Sequence, residues 1–190
     1  MKKNRLEAFF DGVVAIIITV MVLELRLPAG TDFAALWSLL PLLLSYVLSF
    51  VYLGIYWNNH HHMLHTADRV TGSMLWANLH LLFWLSLIPF TTHWLGEHHD
   101  AALPVATYGF VLFMASVAYW ILQQRIIASQ GEGGALGRAI GSDWKGKLSP
   151  FMYATAIALA YAWHWAAIGI YVFVALMWLV PDRRIERSLA

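Results

Sequence analysis

The chain contains no cysteine, which excludes disulfides, thiolate metal centres and iron–sulfur clusters. It is also poor in charge. Asp, Glu, Lys and Arg make up 12% of its 190 residues, about half the share found in soluble domains. Too few charged side chains remain to coat a water-soluble globule of this length. The formal net charge is +1, which gives no electrostatic case for binding nucleic acid. Carbon takes the place of charge: 60% of the residues are hydrophobic and the mean hydropathy is +0.61. Ten tryptophans and eight tyrosines suit the two faces of a bilayer, where rings with a polar tip are favoured. The composition is that of an all-α polytopic membrane protein. It is not that of a disordered, collagen-like or coiled-coil chain.

A helix that crosses a hydrocarbon core of about 30 Å needs about 20 mostly apolar residues. Runs of this kind predict helices over residues 6–26, 33–57, 72–95 and 102–127, with Pro41 inside the second and Pro89 near the end of the third. The remaining apolar stretch divides near His164 into helices over 151–163 and 165–180, both short for a crossing. Residues 1–190 therefore read as one six-helix transmembrane domain. The basic residues orient it: Lys2, Lys3, Arg5, Arg69, Arg125, Arg138, Lys145, Lys147, Arg183, Arg184 and Arg187 fall on one side, and Arg26 stands alone on the other. Positive charge accumulates on the cytoplasmic side, so a multi-pass protein of the cell membrane with both termini in the cytoplasm is expected. The first helix carries Asp11 and Glu24, and no small-residue cleavage site precedes Pro28. It reads as a permanent helix rather than a cleaved signal.

The one long loop, residues 129–147, is rich in glycine and lies on the cytoplasmic side. Its segment Gly141–Lys147 has the spacing of a phosphate-binding loop, but Leu148 stands where a hydroxyl should meet magnesium. A flexible linker is the better account. The short external loops hold Asp32, Glu97, His98, His99 and Asp100 without a nucleophile–base–acid set. No enzyme is expected.

At 100° per residue, Phe9, Gly12, Val13, Ile16, Thr19, Val20, Leu23 and Leu27 share one side of the first helix. Asp11, Ala15, Ile18 and Val22 share the opposite side. The first set is an apolar ladder interrupted by one hydroxyl, and by periodicity alone it is a lipid-facing or helix-packing stripe. Asp11 lies near the cytoplasmic interface, where the positive end of the helix favours an anion. Its expected partner is Arg5 or a neighbouring helix. In the fifth helix Ala154, Ala158 and Ala162 recur every fourth residue, with Ala156 and Ala160 beside them, and Ala166 and Gly169 continue the theme in the sixth. Small residues at this spacing predict close helix packing.

Nine histidines are present, and His60, His61, His62 and His65 cluster at the end of the second helix. His61 and His65, four apart, share a face with metal-ligand spacing, and Asp68 is the nearest carboxylate in sequence. His80 lies deeper in its helix, but a haem would need a second histidine at the same depth. Hydrogen bonding at the interface is the plain role for all nine, and no metal site is assigned.

The first helix also carries a signature. The run Arg5-Leu-Glu-Ala-Phe9-Phe10-Asp11-Gly12-Val-Val-Ala-Ile16-Ile-Ile-Thr19-Val-Met-Val-Leu23-Glu24 resembles the first-helix motif of the bacterial relatives of transmembrane protein 175, the lysosomal potassium channel family. Trp57-Asn-Asn-His60-His61, Asn78-Leu79, Pro89-Phe90-Thr91-Thr92 and Pro181-Asp-Arg-Arg resemble later segments of the same family, in order along nearly the whole chain. One position departs from it, since Phe10 replaces the family's serine beside Asp11. The resemblance implies a homotetrameric, potassium-permeable cation channel embedded in the lipid bilayer. Each chain would bring one six-helix repeat, with the first helix lining the pore. It places the constriction at Ile16, further layers at Val20 and Leu23, and a hydroxyl at Thr19. Arg5, Phe9 and Asp11 become a structural network. Potassium, with other monovalent cations, would be the permeant species, and no resident cofactor is implied. The chain has no Thr-Val-Gly-Tyr-Gly carbonyl filter. Two other functions compete: a secondary transporter of a small cation or metal, and a membrane scaffold that transports nothing.

Overall fold

The structure is a computed structural model and describes residues 3–67, 69–130, 136 and 144–179. Lys2, Asp68, Arg138, residues 131–135, the C-terminal arginines and the first three residues of the phosphate-loop-like segment lie outside the described residues. The described residues form eight α-helices and no strands: α1 Lys3–Leu23, α2 Phe33–Ser38, α3 Leu40–His65, α4 Gly72–Ser86, α5 Ile88–Glu97, α6 Ala102–Gln130, α7 Trp144–Ala160 and α8 His164–Leu179.

Two prolines cut expected helices in two. A proline ring clashes with the carbonyl four residues earlier and offers no N–H to it. Pro41 therefore cannot continue a helix through Trp37, and the chain breaks at Leu39 between α2 and α3. Pro89 does the same at Leu87 between α4 and α5. In both cases the proline occupies the first turn of the new helix, where the missing N–H had no partner to lose. The upstream ends are capped by side chains. Asp32 accepts from the Ala35 amide at 2.9 Å, and the Thr71 hydroxyl accepts from the Met74 amide at 3.3 Å.

Two other boundaries differ from expectation. Helix α3 continues through the polar run Trp57–His65, which lacks apolar periodicity but contains no proline or glycine to stop it. It ends where the Thr66 hydroxyl donates to the Met63 carbonyl at 2.7 Å. Helix α7 starts at Trp144 rather than near residue 151, so Pro150 lies inside it and residues 144–147 are helix rather than loop. The turn between α7 and α8 falls at residues 161–163, close to the expected division.

Four stretches, Lys3–Leu23, Leu40–His65, Gly72–Glu97 and Ala102–Gln130, are long and apolar enough to cross a membrane. Helix α8 is apolar but shorter; its 16 residues reach about 24 Å. Lipid tails give helices no hydrophobic reason to associate, so packing and internal hydrogen bonds hold such a bundle together. Both are present. The Ser49 hydroxyl lies 2.7 Å from the Thr92 hydroxyl and 3.0 Å from that of Tyr108, tying α3 to α5 and α6. The Tyr52 hydroxyl donates to the Tyr171 carbonyl at 2.6 Å, and the Tyr171 hydroxyl donates to the Val105 carbonyl at 3.1 Å. At Gly109 an added Cβ would come within 2.0 Å of the Tyr171 hydroxyl oxygen, so α6 and α8 meet at a position only glycine fills. The alanine ladder of α7 faces otherwise than its spacing suggests. Ala154, Ala158 and Ala162 are exposed, whereas Ala156 and Ala160 are buried with Tyr153. The Tyr153 ring packs near those of Tyr52 and Tyr171, and burying it turns that face inward.

Candidate functional site

Helix α1 packs on α3, α4 and α5 through a narrow stripe. Leu6, Phe10, Val14, Ile17 and Met21 are buried, and their spacing of three and four places them on one face. About a third of a turn away, the ladder of the same helix is uncovered in the single chain. Ile16 is 64% exposed, Leu23 78%, Phe9 50% and Val20 37%. Thr19, Gly12 and Arg5 are exposed with them, and Val13 is half-buried. A Cβ added at Gly12 would meet nothing within 4 Å. Thr19 is held in one orientation because its hydroxyl donates to the Ala15 carbonyl at 2.8 Å. The hydroxyl oxygen thus has its proton committed to its own helix and its lone pairs available outward.

A third sector of α1 faces the end of α3. The Trp57 indole N–H donates to Asp11 Oδ1 at 2.8 Å. One turn earlier, Glu7 Oε1 lies 2.6 Å from His61 Nδ1. The two helices therefore run antiparallel here, with acids on α1 matched to an indole and an imidazole on α3. Asp11 finds its partner on a neighbouring helix, and Arg5 makes no ion pair among the described residues.

Phe10, where the family signature has serine, is wholly buried. Its ring stacks on His60 with centroids 3.6 Å apart and planes 3° from parallel. His60 Nε2 in turn lies 2.8 Å from Asn78 Oδ1. An aromatic stack thus replaces a hydroxyl between α1 and α3. His60 is the deeply buried histidine of the chain, at 1% exposure, whereas sequence reasoning singled out His80. Its polar neighbours in sequence concealed that burial. His80 is engaged locally, accepting from the Trp84 indole N–H at 2.9 Å. Glu7 also escaped notice as the carboxylate beside His61, because 54 residues separate them.

These features define a multi-pass helical membrane protein whose first helix presents an apolar face to something other than its own chain. Comparison with known proteins gives that class a family. Residues 5–89 match the family described as endosomal/lysosomal potassium channel TMEM175. A protein of Chryseobacterium sp. (strain P1-3), named a potassium channel, is 55% identical over 189 residues, covering 100% of this chain and 98% of that one. One from Streptomyces collinus, also named a potassium channel, is 35% identical over 123 residues, 62% of this chain and 60% of its own. The crystal structure of a lysosomal potassium-selective channel TMEM175 homologue from Chamaesiphon minutus superposes with a TM-score of 0.80 at 25% identity, covering 95% of this chain and 97% of the other. The chain belongs to the TMEM175 family. That family is one of ion channels, not enzymes.

Proposed function

We propose that the protein is a potassium-permeable cation channel of the cell membrane, assembled from four copies, each crossing six times with both termini in the cytoplasm. The apolar ladder of α1 carries this reading: Phe9, Ile16, Val20 and Leu23 form a continuous apolar stripe of the pore-helix candidate that its own chain leaves uncovered. Family membership supports placing that face around a central axis. The one-sided distribution of basic residues supports the crossing number, with α7 and α8 as short crossings or partly sunken ones.

In such an assembly four Ile16 side chains form the narrowest ring. A ring of branched carbon too tight for a hydrated ion expels water, and a potassium ion there loses its hydration with nothing in exchange. A small outward movement of α1 readmits water and allows conduction. Thr19 lies about 4.5 Å further along the axis, and Val20 and Leu23 about 6 and 10.5 Å. Thr19 is the layer that offers oxygen to a passing ion; Val20 and Leu23 continue the apolar wall.

The test is flux through purified protein in liposomes with potassium inside and sodium outside. Potassium efflux above sodium entry is expected, and Ile16→Asn should raise the resting leak by an order of magnitude or more. A resting leak unchanged by Ile16→Asn would remove the gate assignment. Absence of flux across voltage and pH would turn the balance to a transporter or a silent scaffold.

A further inference from the structure

Where α1 begins and α3 ends, three side chains converge that conduction through a central pore does not use. Glu7 Oε1 lies 2.6 Å from His61 Nδ1 and 4.0 Å from His65 Nε2. The two imidazoles stand 4.4 Å apart at 66°, and one ligand atom from each of the three residues lies within 4.8 Å of the others. Zinc bonds of about 2.1 Å place tetrahedral ligand atoms about 3.4 Å from one another. Side-chain shifts of less than about 1 Å reach that spacing: His65 closes in and the contact between Glu7 and His61 opens. The side chains of His61 and His65 are 42% and 49% exposed and that of Glu7 20%, so an ion reaches them from solution. Glu7 is not neutralised by a lysine or arginine among the described residues. The nearby Lys3 ammonium is turned instead to the His65 carbonyl at 3.0 Å and the Ala67 carbonyl at 3.4 Å.

We propose that Glu7, His61 and His65 form a binding site for a divalent transition-metal ion of the zinc class. Two imidazoles and a carboxylate suit that class, with a fourth position left to water. The chain has no cysteine to compete for the ion. On binding, His61 Nδ1 loses to solvent the proton it shares with Glu7, its lone pair goes to the metal while Nε2 carries the ring proton, and the hydrogen bond to Glu7 is replaced by two metal bonds. The ion then clips the first turns of α1 to the last turns of α3. This site stands whether or not the chain conducts.

The experiment is calorimetric titration of untagged, full-length protein in detergent with zinc, repeated with cobalt as an absorption probe of a nitrogen–oxygen ligand set. One zinc per chain is expected. Glu7→Gln and His65→Ala should each weaken binding by at least about tenfold, whereas His62→Ala, beside the set but not in it, should bind as the parent does. His65→Gln serves where His65→Ala does not fold. Undetectable binding by the parent protein, equal binding by Glu7→Gln, or an equal loss in His62→Ala would each overturn the site.

Discussion

Thr19 illustrates how a single hydroxyl can be prepared for a cation. Its proton is spent on the Ala15 carbonyl, so the face it turns outward is oxygen acceptor only. Thr19→Val keeps the branched shape and removes the oxygen. In the proposed pore this lowers the potassium-to-sodium flux ratio by about tenfold, equivalent to about 1.4 kcal/mol between the ions. Thr19→Ser should keep most of the ratio; a ratio indifferent to Thr19→Val would show that selection occurs elsewhere. The 100° periodicity grouped the ladder holding Thr19, but it did not reveal which apolar stripe packs inward, since Leu6, Phe10, Val14, Ile17 and Met21 are as apolar as the ladder and are the ones buried. The partners of Asp11 and Glu7 were not legible, since both lie on α3, 46 and 54 residues away. Nor was the role of Phe10. Substituting serine by phenylalanine beside an acid looks like a lost hydrogen bond, and only the stacked His60 ring reveals what replaces it.

Element boundaries follow the same division between local and distant causes. The apolar runs placed the long helices, and the breaks at Leu39 and Leu87 follow from prolines visible in the sequence. The inward face of α7 was misjudged because alanine spacing is equally regular on two faces, and the bulky Tyr153 decides which one packs. Gly109 belongs with these distant causes, because its need for glycine comes from α8. Gly109→Ala would drive a methyl group into the Tyr171 hydroxyl, displacing the bond to Val105 that ties α8 to α6. Overpacking of this kind costs about 1–3 kcal/mol, and the lost hydrogen bond about 1 kcal/mol more. Thermal denaturation in detergent should show Gly109→Ala melting several degrees below the parent. Gly169→Ala, where an added Cβ meets nothing within 4 Å, should melt with it. Equal melting of Gly109→Ala and the parent would mean that α6 and α8 are looser than drawn.

For the molecule as a whole, the decisive question is what covers α1. The cysteine-free background makes the test direct: single cysteines at positions 16 and 23, oxidised in the membrane, should link copies to one another if these positions surround a common axis. Pairs of linked chains are expected, and a bifunctional reagent on the same positions should extend them to four. Cysteines at Phe83 or Phe110, exposed on other helices, should stay unlinked. If positions 16 and 23 remain unlinked while Phe83 links, α1 faces lipid and the pore assignment fails. The ladder has one more consequence. Apart from Thr19 it is built almost wholly of carbon, and hydrocarbon chains solvate such a face as readily as another subunit does. A lone subunit in a bilayer therefore suffers no exposure that must be relieved. In the proposed assembly, the subunits behave as solutes in a two-dimensional solvent, and mass action per lipid molecule, rather than concentration in water, sets how many of them are joined.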